Sequence, residues 1–166
     1  MQTREIMTRS VEVTTPDEPI ARAAGLMRDR NVGLIPVVSD RDTMHLEGVI
    51  TDRDIAVRCV AERHAPGCRV ADHMTRGTLD TVTPESDVHE VIAKMERDQV
   101  RRIPVVERGD RLVGIVAQAD LATQLGPKEP QQIEELVERI SRANAASQSA
   151  GQPSSAPASR RSGGVA

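Results

Sequence analysis

The 166-residue sequence predicts an α+β fold built from two β-α-β-β-α units packed about a pseudo-two-fold axis. One observation behind this is an internal repeat. Met7-Thr8-Arg9 returns as Met74-Thr75-Arg76 and Thr15-Pro16 as Thr83-Pro84. Ile35-Pro36-Val37-Val38 returns as Ile103-Pro104-Val105-Val106, and Gly48-Val49-Ile50 as Gly114-Ile115-Val116. The second observation is that each copy alternates between helical apolar spacing and short β-branched runs, which marks mixed elements. The third is the absence of Phe, Trp and Tyr, so that any core is aliphatic.

The elements follow in order. Each copy opens on a strand that leads to its Thr-Pro pair. Ile20, Ala23, Ala24 and Met27 then stand at i, i+3, i+4 and i+7, as do Val88, Val91, Ile92 and Met95, and each set predicts an amphipathic helix. Ile-Pro-Val-Val and the runs 46–51 and 112–117 read as adjacent strands across polar turns at 39–45 and 107–111. A further helix begins near Asp54 and near Asp120. The expected boundaries are 1–66 and 67–126 for the two copies and 127–144 for an amphipathic helix carrying Ile133, Leu136, Val137 and Ile140. The remainder, 145–166, is rich in Ala, Ser, Gly, Pro and Gln and is expected to be disordered. A copy of about 60 residues buries little core alone, so the two are expected to cover each other's apolar faces.

Composition narrows the function classes. Lys plus Arg number 22 against 25 Asp plus Glu, giving a net charge of -3. That balance offers no general attraction to nucleic acid or anionic lipid, and no aromatic ring is present on which a base could stack. No apolar run is long enough for a membrane span. Two cysteines, Cys59 and Cys68, and an N-terminus without a secretory pattern predict a cytoplasmic protein with reduced thiols. H-E-x-x-H, G-x-S-x-G and Walker A signatures are absent, so no enzyme is expected.

The segment Asp72-His73-Met74-Thr75 leads to Thr83-Pro84, then to Arg102-Ile103-Pro104-Val105-Val106 and Gly114-Ile115-Val116-Ala117-Gln118-Ala119-Asp120. This order closely resembles a cystathionine-beta-synthase (CBS) domain, as does Met7-Thr8 through Gly48-Val49-Ile50-Thr51-Asp52-Arg53-Asp54. The resemblance covers roughly residues 4–125 and is to a stand-alone bacterial CBS pair, a Bateman module. It implies a regulatory module, usually dimeric, that binds AMP, ADP, ATP or S-adenosylmethionine in clefts between the repeats. An unidentified effector protein is the partner such a module would regulate. The alternative within the same fold is a ligand-free dimeric scaffold.

On that resemblance, Asp54 would accept the ribose hydroxyls, Thr51 would give a hydroxyl to a phosphate near the following helix N-terminus, and Arg53 would be a further phosphate partner. The competing reading of Asp54 and Asp120 is a helix N-cap. Asp120 is the weaker candidate, because Ala117 stands where Thr or Ser is usual. Arg101 and Arg102 precede the second Ile-Pro strand, whereas Gly33 and Leu34 hold these positions in the first copy. This predicts one competent phosphate site, with Arg101 and Arg102 either reaching it or pairing with Asp98 and Glu107. Adenine would slide between Val13, Ile35 or Ile103. Ala23, Met27, Val91 and Met95 are expected on the helical faces that a homodimer covers. Cys59, His64, Cys68 and His73 run C-x4-H-x3-C-x4-H, which is not the spacing of a known finger, so the expectation is a buried thiol and no metal.

Overall fold

The computed structural model describes residues 1–65, 67–77 and 79–149, with side chains described as far as residue 139. The first half contains α1 (Ile20–Arg30), β1 (Leu34–Val38), β2 (Leu46–Thr51), a single turn α2 (Asp52–Asp54) that continues as a π-wound stretch Ile55–Val60, and β3 (Thr75–Arg76). The second half contains α3 (Val88–Asp98), β4 (Arg102–Glu107), β5 (Arg111–Ala117) and α4 (Gln118–Leu125), followed by α5 (Pro130–Ser149).

The helices form where the apolar spacing predicts them. α1 buries Ile20, Ala23 and Met27 and ends at Asn31 in the left-handed conformation. α3 buries Val88, Val91, Ile92 and Met95, and Asp87 caps it by accepting from the His89 N–H at 2.9 Å. β1 pairs antiparallel with β2, placing Ile35 opposite Ile50, and β4 pairs with β5, placing Ile103 opposite Val116. The strand expected at the start of each copy is reduced to one parallel bridge, Thr14 with Val37 and Val82 with Val105. Pro16 and Pro84 follow shortly and lack the N–H that would extend the ladder.

Each Met-Thr segment crosses to the other copy's strands. Thr8 exchanges both backbone hydrogen bonds with Ile115 of β5, at 2.9 and 3.0 Å, while Thr75 and Arg76 pair with Val49 and Gly48 of β2. Glycine is required at these crossings. A Cβ on Gly48 would stand 2.5 Å from the Thr75 carbonyl oxygen and 2.2 Å from Met74 Cε, and one on Gly114 would stand 3.0 Å from the Thr8 carbonyl oxygen. The repeated Met-Thr and Gly-Val-Ile motifs are therefore two sides of one contact.

Among the described residues three aliphatic cores result. One belongs to the first half and includes Ile20, Ile35, Ile50, Cys59, Val70 and Met74. A larger one joins α3, β4, β5 and α4 to Ile6 and to Ile133 and Leu136 of α5. The third, made of Val13, Val38, Leu46, Val106 and Leu112, lies between the halves. Beside it the two β-turns are stitched together by Leu46 N–H to the Asp110 carbonyl and Leu112 N–H to the Met44 carbonyl.

Two sequence expectations change here. Ala23, Met27, Val91 and Met95 are buried within the chain itself, so they form no dimer surface. Their helices lay the apolar face on their own strands, which satisfies it inside one chain. The helix expected to end at 144 runs on to Ser149, because Ala143, Ala145 and Ala146 favour helical backbone. Residues 150–166 of the expected tail lie outside the described residues. Within α5, Ile133 and Leu136 are buried, Val137 is 42% exposed, and the side chain of Ile140 is outside the described set. Among the described residues no helix is long and apolar enough to cross a membrane.

Candidate functional site

The end of β2 organises the first site. Thr51 caps α2: its hydroxyl accepts from the Asp54 N–H at 3.1 Å and donates to Asp54 Oδ2 at 2.8 Å. The same carboxylate oxygen accepts from the Thr51 N–H at 3.0 Å, closing a capping box. Asp54 is thus the third residue of the turn and not its N-cap, and Oδ1, its second oxygen, faces Arg58 at 3.5 Å. Arg53 is exposed. In the second copy Asp120 accepts from the Ala117 N–H at 2.8 Å, but no hydroxyl completes the box.

A cavity of 310 Å³ lies between the halves. Val11, Leu34 and Ile35 line it from the first half, Arg102 and Ile115 from the second, and the Arg30–Glu12 ion pair adjoins them. Leu34 is the register partner of Thr51, and Arg102 that of Ala117, so corresponding strand ends of both copies converge on this cavity. Pockets that take small ligands are commonly about 300–1,000 Å³ and mostly apolar, with a few placed polar groups.

Of the residues singled out from sequence, Ile35 and Arg102 line the cavity, with Thr51 and Asp54 at the adjoining strand end. Val13 and Ile103 do not line it: they are 8% and 0% exposed and belong to the core between the halves and the second-half core. Arg101 is exposed. Among the described residues neither Arg101 nor Arg102 has an ion-pair partner, because Asp98 is taken by Arg97 and Glu107 by Arg111. Arg102 therefore offers a half-buried guanidinium without a carboxylate.

A second cluster forms where the sequence predicted only a buried thiol. The π-wound stretch turns Cys59 inward, to 3% exposure, while Val57 and Val60 remain exposed. The following loop returns Cys68 and His73 to it. Cys59 Sγ lies 3.4 Å from Cys68 Sγ, Cys68 Sγ 3.1 Å from His73 Nε2, and His73 Nε2 3.4 Å from His64 Nδ1. The ligand atoms of Cys59, Cys68 and His73 all fall within 4.8 Å of one another. Zinc bonds of about 2.3 Å to sulfur and about 2.0–2.1 Å to nitrogen set tetrahedral ligands roughly 3.3–3.8 Å apart, so the donor set fits that ion. Desolvation, and after it the adjacent Cys59 thiol, push the Cys68 thiol above its ordinary value. The C-x4-H-x3-C-x4-H pattern carried this signal. What it could not show was the helical winding that turns Cys59 toward the loop.

Comparison with known proteins agrees with the geometry. The chain is 36% identical over 122 residues to Hypoxic response protein 1 of Mycobacterium tuberculosis, covering 74% of this chain and 83% of that protein. It is 38% identical over 119 residues to the CBS domain-containing protein YhcV of Bacillus subtilis, covering 72% and 81%. The crystal structure of Hypoxic Response Protein I with two coordinated zinc ions superposes with a TM-score of 0.67 at 33% identity, covering 75% of this chain and 99% of that one. The CBS domain pair of protein MJ0100, solved with 5'-methylthioadenosine and S-adenosyl-L-methionine, gives a TM-score of 0.68 at 27% identity, covering 77% and 98%. The profile of the CBS domain matches residues 4–60 and 70–126. With both copies matched and the motif crossings explained by the fold, the chain belongs to the CBS domain family as a tandem pair.

Proposed function

We propose that this CBS pair is a regulatory module that binds an adenosyl ligand in the cavity between its halves. The observation that carries the reading is the half-buried Arg102, without an ion-pair partner among the described residues, in a cavity that also holds Val11, Leu34, Ile35 and Ile115 and the Arg30–Glu12 ion pair, at the convergence of the two strand ends. Adenine fits between Val11, Ile35 and Ile115, the ribose diol is within the chemistry of Asp54, and a phosphate is the natural partner of a planar guanidinium. Related CBS structures with adenosyl ligands support the class of ligand. Calorimetry with AMP, ATP, S-adenosylmethionine and 5'-methylthioadenosine tests it. Arg102→Ala is expected to weaken AMP and ATP while sparing methylthioadenosine, which carries no phosphate. Failure of all four to bind would favour the ligand-free scaffold.

A specific observation favours a second component, a zinc ion held by Cys59, Cys68 and His73 with His64 beside them. Such an ion would act structurally, closing the loop onto the π-wound stretch. The zinc-bearing structure of Hypoxic Response Protein I supports it, and the reading keeps the chain in a reducing cytoplasm, where thiols remain available. Metal analysis of the purified protein is expected to find zinc, and Cys68→Ser to lose it. Metal-free wild-type protein that takes up no added zinc would overturn this component. The homodimer is retained in the proposal, with the exposed Val57 and Val60 as the apolar face it would cover. A monomer mass by light scattering at micromolar concentration would remove it.

A further inference from the structure

Arg58 lies between the Cys/His cluster and Asp54 and contacts His73 of the one and the carboxylate of the other. Its Nη1 donates to the His73 carbonyl at 3.1 Å and to Thr75 Oγ1 at 3.3 Å, and the same nitrogen stands 3.5 Å from Asp54 Oδ1. One guanidinium thus spans the backbone of a proposed metal-ligand residue and the second oxygen of the carboxylate assigned to the ribose. Cys59 is its neighbour in sequence. The backbone linking these groups is itself tied across the cluster, with the His64 N–H bonded to the Cys59 carbonyl at 2.9 Å and the Ala61 N–H to the Ala56 carbonyl at 2.9 Å. Stretches of π-winding inside helices are frequent at functional sites. Here the winding sets both where Cys59 points and where Arg58 meets Asp54.

We propose that occupancy of the Cys59/Cys68/His73 cluster tunes the adenosyl site through Arg58, zinc raising the affinity for the nucleotide. This rests on both components of the functional reading above. A metal bound to Cys59 and His73 fixes the two ends of the path: the helical segment carrying Arg58 and the carbonyl that receives it. Asp54 is then held by Thr51 on one oxygen and by a positioned guanidinium near the other before ligand arrives. Ordering done by the metal need not be done again by the nucleotide, and this lowers the free-energy cost of binding. Linkage makes the effect reciprocal, so the nucleotide must tighten zinc by the same factor. Arg58 is in this account a positioning residue.

The test is calorimetric titration of AMP and of S-adenosylmethionine into full-length protein, once zinc-loaded and once stripped with a chelator. It is paired with zinc titration against a competing chelator, with and without saturating AMP. Zinc is expected to tighten adenosyl binding by roughly 5- to 150-fold, the usual range for coupled sites, and AMP to tighten zinc by an equal factor. Arg58→Met should keep zinc at wild-type stoichiometry but bring the two AMP affinities together, and Arg58→Lys should restore part of the difference. If both ligands bind and neither changes the other's affinity, the coupling is wrong while the two sites stand. Zinc binding without any adenosyl binding overturns the functional reading and the coupling with it. Adenosyl binding by a protein that takes up no zinc overturns the metal component and the coupling but leaves the cavity.

Discussion

The two copies share strand register, bridge position and glycine crossing, yet their second helices diverge. In the first copy Thr51 completes a capping box, the helix loosens after one turn into π-winding, and the chain then loops through Cys68 and His73. In the second, Ala117 leaves the box half made, α4 is regular over Gln118–Leu125, and α5 packs against it through Ile133 and Leu136. The lesson is a division of labour within a duplicated unit. The second copy received a larger core and a supporting helix, whereas the first follows its loosened helix with a loop that brings Cys68 and His73 to Cys59.

This contrast can be broken most severely at α5. Ending the chain at residue 129 removes Ile133 and Leu136 from the second core, at typically 1.5–3 kcal/mol for each buried side chain, or about 3–6 kcal/mol together. Against total stabilities of about 5–15 kcal/mol, the denaturant midpoint should fall sharply. An unchanged midpoint would show that α5 contributes nothing to the second core.

The crossings come next. Gly48→Ala forces a methyl against the Thr75 carbonyl, and overpacking of this kind typically costs about 1–3 kcal/mol. Gly114→Ala should cost less, since the nearest backbone atom there is 3.0 Å from the added carbon and the other close contact, 2.9 Å away, is the flexible Met7 sulfur. Equal losses in urea melts would mean that the first crossing relaxes as easily as the second.

Smaller effects are expected at the caps. Thr51→Ala removes a helix cap worth about 0.5–2 kcal/mol, while Ala117→Thr offers the second copy the hydroxyl it lacks and should gain up to about 1 kcal/mol. Thermal melts of the two variants should therefore move in opposite directions. Movement in the same direction would show that the caps are not equivalent.

The smallest effect is a pH dependence in the second half. His89 is bonded to Asp87 at 2.6 Å and reaches Glu129, just before α5, at 3.2 Å. Its pKa is raised above the ordinary 6.5, first by the hydrogen bond to Asp87 and then by Glu129. A raised folded-state value means that the contribution is complete below the unfolded value and is lost as pH rises through the folded one. The melting-temperature difference between wild type and His89→Gln should thus be largest below the ordinary histidine value of about 6.5 and shrink as pH rises above it. A difference independent of pH would show that the imidazole charge has no part in it.

Much of this was legible in the residues. The repeat marked the two copies, the i, i+3, i+4, i+7 spacings marked α1 and α3, and the Ile-Pro strands took the predicted register. Thr51, Asp54 and Arg102 were singled out from motif position, and the structure sets Arg102 in the cavity lining with Thr51 and Asp54 at the adjoining strand end. Val11 and Ile115 were missed as cavity residues because apolar side chains on a strand look alike until the direction of each face is known. The dimer face was misread for a related reason: Ala23 and Met27 form a stripe whichever surface covers it.

The sequence by itself determined the duplication, the aliphatic character of the cores and the chemistry available at each strand end, because these depend on residue type and local period. Only the tertiary structure decided that each Met-Thr segment crosses to the other copy's strands, that Arg102 and Leu34 meet at one cavity, and that Cys59, Cys68 and His73 converge with Arg58 beside them. Those contacts join residues far apart in the chain or depend on a single turn of winding. Their partners are set by how the two halves close on each other, and no local pattern encodes that.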